Sequence, residues 1–133
     1  MATERGQVTD AELAVLEQLW EAGPATIRDL TDRLYPDGGV AAYGTVQKLL
    51  ERLGGKACVA REAHGRVHVY RAVVDRPQLI AMSLRATADK LAGGSLTPLL
   101  TQLVAADDLS ADELRELRVM VDRMARERSG KEA

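Results

Sequence analysis

The sequence predicts a mainly α-helical protein with one small β-hairpin. Apolar residues recur every three or four positions through most of the chain, which is the period of amphipathic helices. Residues 58–74 depart from this period, with two β-rich runs on either side of His64-Gly65, a pattern typical of a hairpin with a glycine-bearing turn. Three short helices followed by a hairpin is the order of a winged helix-turn-helix, and purely helical patterning continues beyond it.

Composition narrows the class of protein. The chain has 133 residues, enough for about one domain with a real core, and that core must be mostly aliphatic because there is no Phe, one Trp and three Tyr. The single cysteine, Cys58, excludes an internal disulfide and a CxxC metal framework, which suits a reducing compartment. No stretch approaches the ~20 apolar residues of a membrane span, and the first ten residues have no apolar signal region. We therefore expect a cytoplasmic protein.

The first two helices are marked by capping residues. Thr9 and Glu12 have the spacing of a capping box, so the first helix starts there and ends at Gly23-Pro24. Thr26 caps a second short helix, which the PDGG of residues 36–39 ends. The residues expected to face the core are Leu13, Leu16, Leu19, Trp20, Ile27, Leu30 and Leu34.

The third helix is predicted over residues 42–53, with Gly54-Gly55 ending it. Its apolar stripe consists of Val46, Leu49, Leu50 and Leu53. Ala42 occupies the capping position, where Ser, Thr, Asp or Asn is usual, so the helix would begin with uncapped backbone amides. We expect DNA to satisfy those amides.

Three amphipathic helices follow Asp75. Pro77 suits the first turn of the fourth helix, Thr97-Pro98 opens the fifth, and a capping box of Ser110 and Glu113 starts the sixth. These helices have too little core of their own, so their apolar stripes should meet the first half or a second copy of the chain. We interpret them as a dimerisation arm whose contacts are Leu84, Leu91, Leu99, Leu100, Leu103, Leu114, Leu117, Val121 and Met124. The predicted domains are a winged-helix DNA-binding domain at 1–74, a helical dimerisation region at 75–128 and a polar tail at 129–133.

Charge is segregated along the chain although the net charge is only −2. Residues 1–42 hold three Lys or Arg against eight Asp or Glu, whereas residues 43–71 hold six basic residues against two acidic ones. Residues 72–133 are close to balanced, with nine basic and ten acidic residues. The basic character is therefore confined to the third helix and the hairpin, which is where a winged helix meets DNA.

The third helix is predicted to read DNA bases near its N-terminal end. Gly44 and Thr45 allow a close approach, Gln47 can pair with adenine through two hydrogen bonds, and Lys48 can donate to guanine. A second set is expected to contact the sugar-phosphate backbone: Thr26, Tyr43, Arg52, Lys56, Arg61, His64 and Arg66.

Metal binding and catalysis are both disfavoured. Cys58, His64 and His68 lie close in sequence, but a hairpin turn separates two of them, and a structural zinc site needs four convergent ligands. There is no phosphate-cradling glycine loop, HExxH or GxSxG motif, and the chain has only two histidines. We predict no cofactor, no metal and no enzymatic activity.

Four segments together resemble the penicillinase-repressor family (BlaI/MecI/CopY): VTDAELAVLEQLWEAGPATIRDL, GTVQKLLERL, GRVHVYRAVV and GGSLTPLLTQLVAADDLSADELREL. The resemblance runs from about Val8 to Arg123. It implies a homodimeric winged-helix transcriptional repressor on an inverted-repeat operator of double-stranded DNA, with one third helix in each half-site and the C-terminal helices making the dimer.

The resemblance also implies a way of ending repression. In the β-lactam branch of that family, a membrane-bound metalloprotease sensor cuts the C-terminal helices, and by position the cut would fall near Gln102-Leu103. The copper branch carries a C-terminal cysteine cluster, which this chain lacks. Two other functions stay open at this point: a winged-helix module that binds protein rather than DNA, and a repressor released by a small ligand.

Overall fold

The fold is mainly helical with a two-stranded antiparallel hairpin, as predicted. It was obtained as a computed structural model that describes residues 7–132, with side chains described as far as residue 130. The elements in chain order are α1 (Asp10–Ala22), α2 (Ile27–Leu34), α3 (Gly39–Gly55), β1 (Val59–His64), β2 (Val67–Ala72), α4 (Arg76–Leu91), α5 (Thr97–Ala105) and α6 (Ala111–Glu132). Across the described residues, no helix is both long and apolar enough to cross a membrane.

The predicted capping residues form their hydrogen bonds. Thr9 and Glu12 make a complete capping box at the start of α1, and Thr26 makes one with Asp29 at the start of α2. The Ser110 hydroxyl accepts from the amide of Glu113 at 3.1 Å, and the Glu113 carboxylate accepts from the Ser110 amide at 3.2 Å. These starts are local in sequence, and all three were predicted correctly.

The core lies where α1, α2 and α3 meet the hairpin. The apolar stripe predicted for α3 is buried in full, and Ala42 extends it by one turn. Ala25, between α1 and α2, forms a β-bridge with Tyr70 in which each amide donates to the other residue's carbonyl, at 2.9 and 2.8 Å. This bridge holds the hairpin against the helix pair, because both backbone groups of Tyr70 are committed to it. The core cluster is Val15, Leu16, Leu19, Ala25, Leu30, Val46, Leu49, Leu50, Leu53, Cys58, Val59, Tyr70 and Leu79.

The prediction that α3 begins at Ala42 is wrong. The helix begins at Gly39, with Gly38 as its N-cap, and Ala42 is a buried residue of the helix whose amide donates to the Gly38 carbonyl at 3.4 Å. A Cβ atom at Gly38 would lie 2.3 Å from the Cβ of Ala42, so the chain can enter the helix here only with glycine. The glycine pair that was expected to end α2 therefore starts α3, and Ala42 leaves no amide free for DNA. Gly54 and Gly55 are the last two residues of α3, so the helix ends at this glycine pair as predicted, with both glycines inside it.

The chain divides into two compact units, residues 1–94 and residues 95–133. Helix α4 belongs to the first unit, where Leu79 joins the core and the Trp20 indole donates to the Val74 carbonyl at 2.8 Å. Arg76, at the start of α4, lies over the Trp20 ring with 4.8 Å between its guanidinium carbon and the ring centroid. The same guanidinium pairs with Glu17 of α1 at 3.1 Å.

The second unit has almost no interior of its own. Among its residues with described side chains, 95–130, none is buried, and Leu99, Leu109 and Leu117 are half-buried. Helix α6 continues through Glu132, so most of the stretch expected to be a polar tail is helical. The exposed large apolar side chains of this unit are Leu96, Leu100, Leu103, Val104, Leu114, Val119, Met120, Val121 and Met124.

Candidate nucleic-acid interface

The four residues predicted to read bases lie on the face of α3 opposite its buried stripe. Thr45, Gln47 and Lys48 are exposed, and Gly44 is half-buried with nothing within 4 Å of an added Cβ. The Thr45 hydroxyl donates to the Ala41 carbonyl at 3.1 Å. The side chains of Gln47 and Lys48 make no hydrogen bond or ion pair within residues 7–132, so both are free to bind a ligand.

The early start of α3 adds Val40 to this face. Val40 precedes Gly44 by four residues, which places it one turn earlier on the same side of the helix. It is 91% exposed, which is extreme for an apolar side chain on a helix. The sequence analysis did not identify Val40, because the helix was predicted to begin at Ala42, two residues after it. The i, i+4 spacing of Val40, Gly44 and Lys48 is the pattern in the sequence that could have identified it.

Three of the residues predicted to contact the DNA backbone meet in one cleft between α3 and the hairpin. Thr26, Tyr43 and Arg66 line a cavity of about 290 Å³ together with Ile27, Arg28, Val67 and His68. The Thr26 hydroxyl accepts from the Asp29 amide at 3.0 Å, which fixes it at the first turn of α2. Tyr43 is 38% exposed, and the guanidinium carbon of Arg28 lies 5.8 Å from the centroid of its ring.

Arg28 also lines this cleft, and the sequence analysis did not single it out. Its position two residues after the capping Thr26 was a usable signal, because the start of the second helix and the third helix meet in a helix-turn-helix. The residues that line the cleft therefore include two arginines, Arg28 and Arg66, and one tyrosine, Tyr43.

The hairpin turn places Arg66 at its tip. His64 pairs with Val67 in the antiparallel register, so the loop between the strands is the two residues Gly65-Arg66. Gly65 has a φ of 67°, which a type II′ turn requires at its first position and which favours glycine there. Arg66 is exposed and makes no ion pair within the described part of the chain.

The other two hairpin residues of the predicted set lie on opposite faces. Arg61 stands opposite Tyr70 in the register and therefore shares its face. His64 lies on the reverse face, where its Nε2 is 3.6 Å from an oxygen of Glu62. Arg71 donates to the other oxygen of Glu62 at 3.0 Å, and this hydrogen bond holds the pKa of Glu62 below its usual range. The hairpin does not bring Arg61 and His64 together.

Lys56 has an internal partner. Its ammonium lies 2.6 Å from the Glu12 carboxylate and 2.9 Å from the Gln7 carbonyl, and the side chain is 16% exposed. Burial raises the pKa of Glu12, but the hydrogen bonds from Lys56 and from the Thr9 amide lower it by more, so the pKa is below its ordinary value. The ammonium charge of Lys56 is therefore used within the protein, whereas sequence reasoning assigned it to DNA.

Charge pairing separates the six basic residues of segment 43–71 into two groups. Lys56 pairs with Glu12 and Arg71 pairs with Glu62. The remaining four, Lys48, Arg52, Arg61 and Arg66, have no carboxylate partner within residues 7–132 and are all exposed. Within this segment, the unpaired positive charge therefore lies on the exposed side of α3 and on the hairpin.

The sequence profile of the family described as Penicillinase repressor matches residues 8–123, which is most of the chain. The chain belongs to the penicillinase repressor family. It is a BlaI-type member of a family of transcriptional repressors rather than of enzymes, as the sequence predicted.

Two named relatives match this chain over most of its length. It is 26% identical over 111 residues to the penicillinase repressor of Bacillus licheniformis, covering 84% of this chain and 86% of that protein. It is 33% identical over 111 residues to the transcriptional regulator BlaI of Mycobacterium tuberculosis, covering 82% of this chain and 78% of that protein. A crystal structure of the oxidised form of MarR from E. coli is 22% identical, with a TM-score of 0.45 over 93% of this chain and 80% of that one.

The residues that the sequence assigned to dimerisation and to cleavage are accessible in this repressor. Leu84 and Leu91 are exposed on α4, and Gln102 and Leu103 are exposed within α5. The remaining predicted dimer contacts, on α5 and α6, are all exposed or half-buried.

Within residues 7–132, no cluster of three or more His, Cys, Asp or Glu could hold a metal ion.

Proposed function

We propose that the chain is a homodimeric repressor that binds an inverted-repeat operator, with α3 in the major groove and the Gly65-Arg66 turn on the DNA backbone. The observation that carries this proposal is the group of four exposed cations without carboxylate partners, Lys48, Arg52, Arg61 and Arg66, in a chain whose net charge is −2. Phosphate attracts such cations without regard to sequence, and α3 adds base-reading groups beside them. As a repressor of promoter DNA, it would act in the cytoplasm.

Base reading is assigned to the exposed face of α3. Gln47 and Lys48 would hydrogen-bond to base edges, since both side chains are free in the protein. Gly44 and Thr45 would allow the helix to approach closely. Val40 adds an apolar group at the leading turn, and a thymine methyl is the complementary surface in the major groove.

Phosphate contacts are assigned to the cleft between α3 and the hairpin and to the cations beyond it. Thr26, Arg28, Tyr43 and Arg66 would clamp one stretch of backbone, because they line the same cavity. Arg52, Arg61 and His64 are further proposed contacts. Lys56 is left out of this proposal because Glu12 already neutralises it.

Dimerisation is assigned to the apolar side chains of α4, α5 and α6. A unit in which no described side chain is buried has little hydrophobic stabilisation by itself, and a second copy supplies apolar surface of the same kind. With two α3 helices, the half-sites should be about one DNA turn apart, or a multiple of it.

Release by cleavage near Gln102-Leu103 is the proposed way of ending repression, with a membrane metalloprotease sensor as the partner. It is supported by the exposure of α5, which holds no buried residue and has no side-chain cap at its start. Such a helix opens locally at low cost, as a protease requires. Mass spectrometry of the protein from cells with the regulated promoter switched on should show fragments ending there. An intact chain in those cells would contradict cleavage and favour release by a ligand.

The decisive experiment measures binding to promoter DNA upstream of the protein's own gene. Lys48→Ala should weaken binding to the specific site by about 5- to 150-fold, which corresponds to about 1–3 kcal/mol for one base contact. Arg66→Ala should weaken specific and random DNA alike and lower the slope of log affinity against log salt by about one. Arg126→Ala, on the exposed surface of α6, is the matched control and should change neither.

The same experiment can reject the proposal. If neither Lys48→Ala nor Arg66→Ala weakens binding and salt has no effect, the DNA-binding assignment fails. The winged-helix domain would then be better explained as a protein-interaction module.

A further inference from the structure

The first unit contains a cavity that the proposed DNA interface does not use in full. It lies between the start of α1, the end of α3 and the end of α4, and its volume is about 650 Å³. That volume is typical of sites for small molecules. We call it the α3–α4 pocket, and the lining residues used below are Gln7, Glu12, Arg52, Lys56, Thr87 and Lys90.

The pocket is positively charged. Three cations line it, and one of them, Lys56, is neutralised by Glu12 at 2.6 Å. Arg52 and Lys90 have no carboxylate partner in the described part of the chain. Two unpaired cations in a concave site favour an anion, because the protein walls reduce screening and an arginine can bind carboxylate or phosphate through two parallel hydrogen bonds.

Glu12 supplies a second polar feature of the pocket wall. The residue is fully buried, and its Oε2 is a buried oxygen with no hydrogen-bond partner among the described residues. A buried acceptor without a donor is costly, so a donor that reached this oxygen would relieve that cost. A hydroxyl or N–H group on a bound molecule would be a donor for this oxygen.

The position of the pocket connects it to DNA binding. Arg52 is on α3 and Lys90 is on α4, and Gln7 joins the two sides by donating to the Thr87 hydroxyl at 3.0 Å and accepting from Lys56 at 2.9 Å. Arg52 is also a proposed phosphate contact. An anion held between Arg52 and Lys90 would therefore compete with the DNA backbone for the same guanidinium.

We propose that the α3–α4 pocket binds a small anion bearing phosphate or carboxylate groups, and that its binding weakens the hold on DNA by occupying Arg52. The effect on DNA rests on the proposed repressor function, whereas the binding of the anion does not. Coupling of this kind is reciprocal, so operator DNA should weaken anion binding by the same factor.

The test follows thermal unfolding of the full chain in increasing inorganic phosphate or citrate, at constant ionic strength. Wild type should show a rise in Tm that grows with the logarithm of the anion concentration above the Kd and reaches about 5 °C at ten times the Kd. Lys90→Gln should need at least about tenfold more anion for the same rise in Tm, because it removes one of two charged contacts. Arg126→Gln, a cation on α6, is the control and should behave as wild type. A rise in Tm with phosphate alone, or with citrate alone, would tell which group the pocket selects.

DNA binding is then measured separately. Without the anion, Lys90→Gln should bind operator DNA as wild type does, since Lys90 is outside the proposed interface. With the anion, only wild type should lose DNA affinity. An equal rise in Tm for wild type and Lys90→Gln, linear in anion concentration, would overturn the pocket, because it would reflect general salt exclusion. Loss of DNA binding by Lys90→Gln without the anion would also overturn it and make the pocket part of the DNA backbone contact. If wild type fails to bind DNA at all but still binds the anion, the repressor assignment fails and the pocket stands.

Discussion

At the scale of single residues, Glu12 has two roles, because its carboxylate takes part in a helix cap and also pairs with Lys56. Sequence spacing identifies Glu12 as the partner of Thr9 in a capping box, and the structure confirms that bond at 2.8 Å. The same carboxylate also neutralises Lys56, 44 residues later in the chain. It therefore joins the start of α1 to the end of the proposed reading helix.

The first prediction concerns the loss of Lys56. Lys56→Met should reduce the free energy of unfolding by about 3 kcal/mol, because it leaves the buried Glu12 carboxylate without a counter-charge. Urea denaturation measures the change. Adding Glu12→Gln to this variant should restore at least about 1 kcal/mol, since Gln keeps the capping box but carries no charge. A double variant less stable than Lys56→Met alone would show that the charge pair is not the source of the loss.

The second prediction concerns pH. Since the pKa of Glu12 is lowered on folding, its contribution is fully present above the ordinary glutamate pKa of about 4.3 and is lost as pH falls through the lower folded value. The stability difference between wild type and Glu12→Gln should therefore shrink on acidification below that point. Paired urea curves from pH 7 down to pH 3 test this, and a constant difference would contradict the assignment. Other carboxylates cancel in the comparison because both proteins contain them.

At the scale of the element, the start of α3 decides which side chains would face DNA in the proposed complex. The helix was predicted to begin at Ala42, because glycines usually end helices and no apolar periodicity is visible before that residue. The packing contradicts this prediction, because the backbone at residue 38 lies so close to the Ala42 side chain that glycine is needed there. The leading turn then contains Val40, and the face proposed to read bases is one turn longer.

The third prediction compares two glycines in the same helix. Gly44 and Gly54 both have open space around an added Cβ, so Gly44→Ala and Gly54→Ala should each stabilise the free protein by about 0.5–1 kcal/mol. Gly44→Ala alone should weaken operator binding, by about tenfold, because its methyl group would stand between α3 and the bases. Thermal unfolding and DNA titration of the two variants provide the comparison. Equal DNA affinities would mean that the proposed reading face is misplaced along α3.

At the scale of the whole molecule, the two units differ in how they bury apolar surface. The first unit has a continuous core that includes α4 through Leu79. In the second unit, no described side chain of residues 95–130 is buried. Its stability should depend on association, so unfolding of the full chain should become more resistant to denaturant as protein concentration rises.

The fourth prediction tests that association directly. Leu114 and Val121 lie two turns apart on one side of α6, and both are exposed. Leu114→Glu combined with Val121→Glu should convert a dimer to a monomer in sedimentation equilibrium, because four carboxylates would meet in the interface of two chains. Arg126→Glu, on the opposite side of α6, should leave the dimer intact. A monomeric wild-type protein would contradict the dimer outright.

The sequence by itself determined the kinds and order of the elements, the capped starts of α1, α2 and α6, and the exposed face of α3. These features depend on residues within a few positions of each other, and a buried apolar stripe necessarily identifies the face opposite to it. Tertiary structure alone decided that α3 begins at Gly39, that Lys56 is paired and that Arg28 joins Tyr43 and Arg66 in one cleft. Each of these three features depends on contacts between separate elements of the fold. A local sequence pattern does not contain the distances between such elements. The unpaired cations that support the proposed DNA interface could therefore be counted only once the chain was folded.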